Sequence, residues 1–364
     1  MKVKRRTVPR RAKERGAILA LTGILLMVFL GMIVLGVDLG YVSMVQGELQ
    51  ASADAASLAA VDTLRDGGTH DDAKQAAIAV AGKNSAAGDG VSLSIQNVDF
   101  GSYDPDSGQF VTPPSLAYPA AVRVTAERGA AAPDGPLNLL FGGVIGHAQA
   151  NVSGQAIAAL GKRQMVIVQD VTGSFRQEIE DAKDADETLV NAMAAQNLGG
   201  EDVGLVTFDE AATERLAITP LHANLQQITD TIEDFAACQS GAPNCAGTHI
   251  APGLDTATDM FGDRGSEHAQ KVIVLVSDGM PNPASRRAPA VAAADRADAA
   301  GISIFTVTLT QESTGGSYGS SGNDAAFNAS LVRGFGKAYD TPNAEDLDDL
   351  LLLVLAEIPV GLVK

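Results

Sequence analysis

The run Ala17–Val37, AILALTGILLMVFLGMIVLGV, holds 21 residues without a charge, and no other feature restricts the fold of this chain so strongly. As a helix rising about 1.5 Å per residue it spans roughly 30 Å, the thickness of a bilayer's hydrocarbon core. Lys2, Lys4, Arg5, Arg6, Arg10, Arg11, Lys13 and Arg15 precede it with Glu14 alone against them, and Asp38 and Glu48 follow it. Cytoplasmic flanks carry such an excess of Lys and Arg. The N-terminus is therefore expected in the cytoplasm and everything beyond residue 38 outside it. A cleaved signal peptide is the competing reading. The run exceeds the usual h-region of about 7–15 residues, and no small-x-small site with turn residues follows directly, so an uncleaved anchor is expected.

At 364 residues, 46% of them hydrophobic, the chain has room for two or three domains. The basic start, residues 1–15, has a net charge of +7, which leaves −25 on the remainder of a chain whose formal charge is −18. A body that acidic lacks the positive footprint of a nucleic-acid binder.

The segment YVSMVQGELQASADAASLAAVDTLRDG continues the helix, since Val42, Val45, Leu49 and Ala53 keep a helical spacing and no proline precedes Gly67. The basic start, the apolar run, the VDLG exit and the ADAASLAA helix together resemble the N-terminal segment of TadG-like Flp pilus-assembly proteins, over about residues 14–62. That resemblance implies a bacterial envelope protein of tight-adherence pilus assembly or anchoring. Processing of the prepilin type is not implied. Related pilins use a glutamate five residues after the cleavage glycine, and here that place after Gly16 is Leu21.

Residues 84–161 change character. Strands are expected on both sides of the Asp104–Gly108 turn (DPDSG), over AVRVTAE and over AQANVSGQAIAAL; PDGPLNLLFGGVIG reads as a loop leading to a short apolar helix or hook. Asp104 and Asp106 lack the full spacing of a calcium loop. This is expected to be a small α+β spacer module without a chemistry of its own.

From residue 162 strands and helices alternate, and the strands are continuous apolar runs such as MVIV, KVIVLV and ISIFTVTL. The pattern predicts a mostly parallel sheet covered on both faces, with a ligand crevice at the C-terminal strand ends. The stretch QDVTGSF closes the first of these strands. Asp170, Thr172 and Ser174 are hard oxygen donors, and Gly173 lets the backbone curl around one point. The alternative is a plain strand-to-helix turn in which Ser174 caps a helix. A second strand ends in SDG at Asp278, and Thr248 stands in a glycine-led loop before a helix. These three pieces resemble the von Willebrand factor A fold with its metal-ion-dependent adhesion site, over residues 162–358. Asp170, Thr172 and Ser174 match the D-x-S-x-S element, with threonine in place of the first serine; Thr248 matches the second loop and Asp278 the third. The resemblance implies Mg²⁺, with Mn²⁺ or Ca²⁺ as substitutes, and an open coordination position filled by water or by a protein partner's carboxylate. His249, beside this set, reads as a helix-start residue.

Cys238 and Cys245 are the chain's two cysteines. In an exported domain such a pair suggests a disulfide, worth about 2.5 kcal/mol at most before strain. Its expected role is to hold the loop that presents Thr248. Two thiols without a second pair do not make a zinc site. A haloacid-dehalogenase phosphotransferase needs a second aspartate where Thr172 stands, and no P-loop occurs. Thr314–Asp324, TGGSYGSSGND, reads as a surface loop.

The expected organisation is a basic cytoplasmic tail (1–15), a transmembrane helix (16–38), an exported helical extension (39–83), the spacer (84–161), a Rossmann-like von Willebrand A domain (162–358) and a tail (359–364). The expected setting is the bacterial inner membrane, single-pass, with the bulk periplasmic or extracellular. The expected function is recognition of a protein partner, with pilus-assembly components as candidates, through a divalent cation. A scaffold whose metal only stabilises the fold is the alternative, and a metal-dependent phosphotransfer enzyme a remoter one.

Overall fold

The computed structural model describes residues 12–239, 247–264, 269–310, 323–358 and 362–363. Residues 1–11, Cys245 and most of the Thr314–Asp324 loop lie outside the described residues. The chain is mixed α/β and divides into two compact units. One gathers residues 1–59, 74–98 and 124–156, the other residues 60–73, 99–123 and 157–364.

A single helix, α1, runs from Ala12 to Arg65. Its first part is long and apolar enough to cross a membrane, and its apolar side chains there are exposed on every side. Past Asp38 the exposure becomes one-sided: Val45, Leu49, Ala53, Ala56 and Ala60 are fully buried at helical spacing. Gly154 lies so close to the α1 backbone at Gln50 that a Cβ would collide with it, and Gln50 and Gln155 exchange hydrogen bonds of 2.8 and 3.1 Å. Helix α1 stops where Gly67 takes φ +82°. Thr69 then caps α2 (His70–Ala81) reciprocally with Asp72: the Thr69 N–H and hydroxyl donate to the Asp72 carboxylate at 2.9 and 2.6 Å, and the Asp72 N–H returns to Thr69 Oγ1 at 3.2 Å.

The turn at Asp104 joins β1 (Val98–Asp104) and β2 (Gln109–Val111) as an antiparallel hairpin. The Asp104 carboxylate accepts from the Ser107 hydroxyl at 2.6 Å and from the Asp106 N–H at 3.0 Å, so it serves the turn itself. Two further strands, β3 (Ala120–Arg128) and β4 (Val152–Leu160), fall where alternation predicts them.

The larger unit holds a six-stranded sheet. Its members are β5 (Arg163–Asp170), β6 (Glu201–Phe208), β7 (Ala212–Pro220), β8 (Gln270–Ser277), β9 (Ile302–Leu309) and β10 (Ala338–Thr341). Their spatial order is β7-β6-β5-β8-β9-β10, and every pairing is parallel except β6 with β7. Helices α3 (Ile179–Ala195), α4 (Leu221–Glu233) and α8 (Leu347–Glu357) cover one face; α5 (Ile250–Arg264) and α6 (Arg287–Ala299) cover the other, and the short α7 (Asn323–Ala329) lies between α6 and α8 in the chain. Alternate residues of one strand therefore enter different cores. Met165 and Ile167 join the first, Val166 and Val168 the second, which is why the strands are apolar throughout. From β5 the chain moves to β6 on one side and later returns to β8 on the other. The C-terminal ends of β5 and β8 thus flank the switch point of the sheet.

At the opposite ends of the strands Arg163 and Glu201 form a buried ion pair at 2.8 Å, supported by Gln196 and His222. Arg163→Met leaves the Glu201 carboxylate without its guanidinium and should lower stability by about 3–5 kcal/mol in denaturant unfolding. Arg163→Met with Glu201→Leu should recover most of that loss. Equal losses in the single and double variants would show that the pair is not the source.

Candidate metal centre

Strand β5 delivers Asp170, fully buried, at the crevice, and β8 delivers Ser277 and Asp278 beside it. A hydrogen-bonded chain links the two strand ends. Ser277 Oγ donates to Asp170 Oδ2 at 2.6 Å, and the Thr172 N–H donates to Asp170 Oδ1 at 2.9 Å. The Thr172 and Ser174 hydroxyls lie 2.9 Å apart, and Ser174 Oγ donates to Asp278 Oδ1 at 3.1 Å. Thr172 and Asp278 are buried and Ser174 is exposed, so the donors run from the core to the surface. The stretch after Asp170 is a 3-10 turn, Gly173–Arg176, ahead of α3. The Val171 N–H on Phe208 and the Cys238 N–H on Val171, at 3.0 and 2.8 Å, anchor it laterally.

Four of the five expected donors, counting hydroxyls and carboxyls, stand in that chain. Thr248 joins by its main chain: its carbonyl accepts from the Asn282 N–H at 3.0 Å, tying the second loop to the third. Gly247 makes this approach possible, because a Cβ there would run into the Asn282 carbonyl. His249 starts α5, with its N–H on the Asp209 carbonyl and its ring Nδ1 3.2 Å from the Glu210 carbonyl. Cys238 is disulfide-bonded; Cys245 is outside the described residues. Arg176 holds the Cys238 carbonyl at 2.8 Å, so the cysteine-bearing loop is tied to the Asp170 loop.

Two participants are not singled out by sequence motifs. Ser277 bridges to Asp170, and Asp209 follows β6, where Phe208 lies opposite Asp170. Asp209 acts on Asp170 by charge repulsion. Its sequence signal is the same as that of Asp170, an aspartate closing an apolar strand.

Burial raises the Asp170 carboxyl from 3.8 to about 6, opposed by the hydrogen bonds from Ser277 and Thr172 and assisted by Asp209. Burial also raises Asp278 well above the ordinary carboxylate value, with Asp170 and Glu178 adding repulsion. Among the described residues no cluster of three or more His, Cys, Asp or Glu forms a metal-holding group. The donor set is instead two carboxyls and two hydroxyls, all hard oxygens, which fits a divalent cation such as Mg²⁺ in chemistry.

A folded-state pKa above the unfolded value means that the folded domain holds its proton more tightly. The Asp170 contribution to stability is therefore full below about pH 4 and is lost as pH rises through about 6. In the absence of divalent cations, Asp170→Asn should flatten the decline in melting temperature across that window. Parallel curves for the two proteins would contradict the assignment of this titration to Asp170.

The von Willebrand factor type A domain family matches residues 165–280. The putative Flp pilus-assembly TadE/G-like family matches residues 16–63, and the putative Tad-like Flp pilus-assembly family residues 47–158. Comparison with curated proteins gives no significant match. Among solved structures, proximal thread matrix protein 1 from the mussel byssus is 19% identical over 54% of this chain and 47% of its own, with a TM-score of 0.43. This chain thus spans about half the length of that protein. An aerotolerance-related membrane protein from Bacteroides fragilis NCTC 9343 is 19% identical over 54% of this chain and 98% of its own, with a TM-score of 0.42. The von Willebrand factor type A protein from Catenulispora acidiphila is 15% identical over 56% of this chain and 45% of its own, with a TM-score of 0.43. In order along its sequence, the chain is similar first to putative Flp pilus-assembly TadE/G-like proteins and then to the von Willebrand factor type A domain.

Proposed function

We propose that this chain is a membrane-anchored envelope protein of Flp pilus assembly or anchoring, whose von Willebrand A domain recognises a protein partner through a divalent cation. Helix α1 serves as a single-pass anchor in the inner membrane, with the basic start in the cytoplasm and the chain after residue 38 outside it. Asp170, Thr172, Ser174, Thr248 and Asp278 hold the cation. Ser174 is the exposed donor of the set, while Asp170, deeper, fixes the loop through the Thr172 N–H and Ser277. The bound ion polarises one coordination position toward a carboxylate of the partner. No carboxylate pair is assigned to catalysis, and the reading is of a binding protein.

The observation that supports this most is the hydrogen-bonded chain from Ser277 through Asp170, Thr172 and Ser174 to Asp278. Two buried carboxyls close together gain from a cation between them, and the exposed Ser174 hydroxyl gives a partner access.

The test uses the full-length protein in detergent. A ligand at about 100 times its dissociation constant stabilises the folded state by about 2.7 kcal/mol. Mg²⁺ or Mn²⁺ at millimolar concentration should raise the melting temperature of the parent protein and not that of Asp170→Ala. Recovery of a partner from envelope extract should require the cation and fail in EDTA. Equal shifts in both proteins, or none in either, would reject the site. A cation-dependent shift with cation-independent recovery would favour a scaffold whose metal only stabilises the fold.

A further inference from the structure

The hook expected between Pro136 and Gly146 is a compact hairpin. Leu137–Asn138 pairs antiparallel with Gln149–Ala150, and a 3-10 turn, Gly142–Ile145, forms its tip. The His147 N–H donates to the Gly142 carbonyl at 2.9 Å, and Gly142 lies against the His147 carbonyl where no Cβ would fit. This tip is closed on itself, yet it leaves large apolar side chains outside: Val144 is 82% exposed, Leu140 58% and Phe141 45%. From Gly135 to Gly161 the sequence carries no Asp, Glu, Lys or Arg.

Where the hook sits on α1 gives these exposed side chains a meaning. The N–H groups of Leu140 and Phe141 both donate to Asp38 Oδ1, at 3.0 and 3.1 Å. Asp38 is the first charged residue after the 21-residue apolar run and is 6% exposed. A carboxylate so placed would be costly to shield from water without donors, and the hook supplies two. Val34, one turn before Asp38, is partly covered, whereas Ile33, Leu35 and Val37 remain exposed. The tip is therefore fastened at the depth where the apolar run ends, and its exposed side chains continue the exposed surface of that run.

We propose that the Leu137–Ala150 hook is a second membrane contact, with Leu140, Phe141 and Val144 entering the headgroup–acyl boundary beside the outer end of α1. This rests on α1 being a membrane anchor. The occupant is lipid, because the same surface is continuous with a helix whose apolar side chains are exposed on all sides over the span. The hook and the helix together fix the orientation of α1 at the bilayer surface, which a single helix free to rotate about its axis does not.

The chain contains no tryptophan, so one introduced indole reports alone. Full-length Val144→Trp, Leu26→Trp and Leu353→Trp proteins are reconstituted into vesicles of phosphatidylethanolamine and phosphatidylglycerol with acyl chains brominated at shallow or deep positions. Leu26 lies in the apolar run, and Leu353 is an exposed residue of the acidic helix α8. Leu26→Trp should be quenched most by deep bromines. Val144→Trp should be blue-shifted relative to Leu353→Trp and quenched about twofold by shallow bromines, consistent with a depth of about 5–10 Å below the surface. Quenching of Leu26→Trp without quenching of Val144→Trp would overturn the hook and leave the anchor standing. A blue shift of Val144→Trp without quenching, the mark of burial against protein, would overturn it too, as would equal quenching of Val144→Trp and Leu353→Trp. An unquenched Leu26→Trp would overturn the anchor and the proposal together.

Discussion

Asp170 and Asp278 emerge from neighbouring parallel strands into a place that water reaches poorly; burial raises both carboxyls, and the charge of Asp170 raises Asp278 further. A folded domain can keep two such carboxyls only by protonating them, by surrounding them with donors or by placing a cation between them. The structure supplies donors in part: the Ser277 hydroxyl and the Thr172 N–H on Asp170, and the Ser174 hydroxyl on Asp278. The repulsion that remains would favour the divalent cation proposed for this site. It also explains why the pair stands at the switch point, where the strand ends open toward solvent between loops rather than beneath helices.

The rigidity of the site comes from elements with ordinary structural reasons. Strand β5 is buried on both faces, so the place of Asp170 along the sheet is fixed by the cores on either side. The Cys238 loop, held to Val171 and Arg176, and the Thr248 loop, held to Asn282, bracket the Asp170 turn. Asp38 obeys the same rule at the end of the apolar run: a buried carboxylate persists where a loop supplies N–H groups to it.

The elements legible in the sequence are those whose environment is uniform along their length. Strands β5, β8 and β9 are apolar runs because both faces are covered, and the apolar part of α1 is uncharged throughout. Strand β7 escapes this reading. It is an edge strand with Thr213, Glu214 and Arg215 exposed, it ends in Pro220, and only Ala212, Leu216 and Ile218 pack against the cores, too sparse a pattern to read as a buried run. The short α7 ends at Ala329, after which Arg333 bridges to Ile304 and Gly334 takes φ +61°. In the candidate site the five motif residues are read from strand ends and a known pattern, and the structure brings four of them into one hydrogen-bonded chain. Asp209 closes an apolar strand as Asp170 does, but it belongs to no motif, and only the sheet register brings it near Asp170. The Asp38 contact with Leu140, across 102 residues, has no local signal at all.

The central claim is that one divalent cation sits among Thr172, Ser174 and Asp278, with Asp170 behind them. A crystal structure of the protein grown with Mn²⁺, recorded with anomalous scattering at the manganese edge, tests it most directly. The account predicts a single anomalous peak at about 2.0–2.6 Å from the Ser174 hydroxyl and from its oxygen neighbours, the span from Mg²⁺ to Ca²⁺ ligand distances. A peak elsewhere, or none between the ends of β5 and β8 at saturating Mn²⁺, would contradict it.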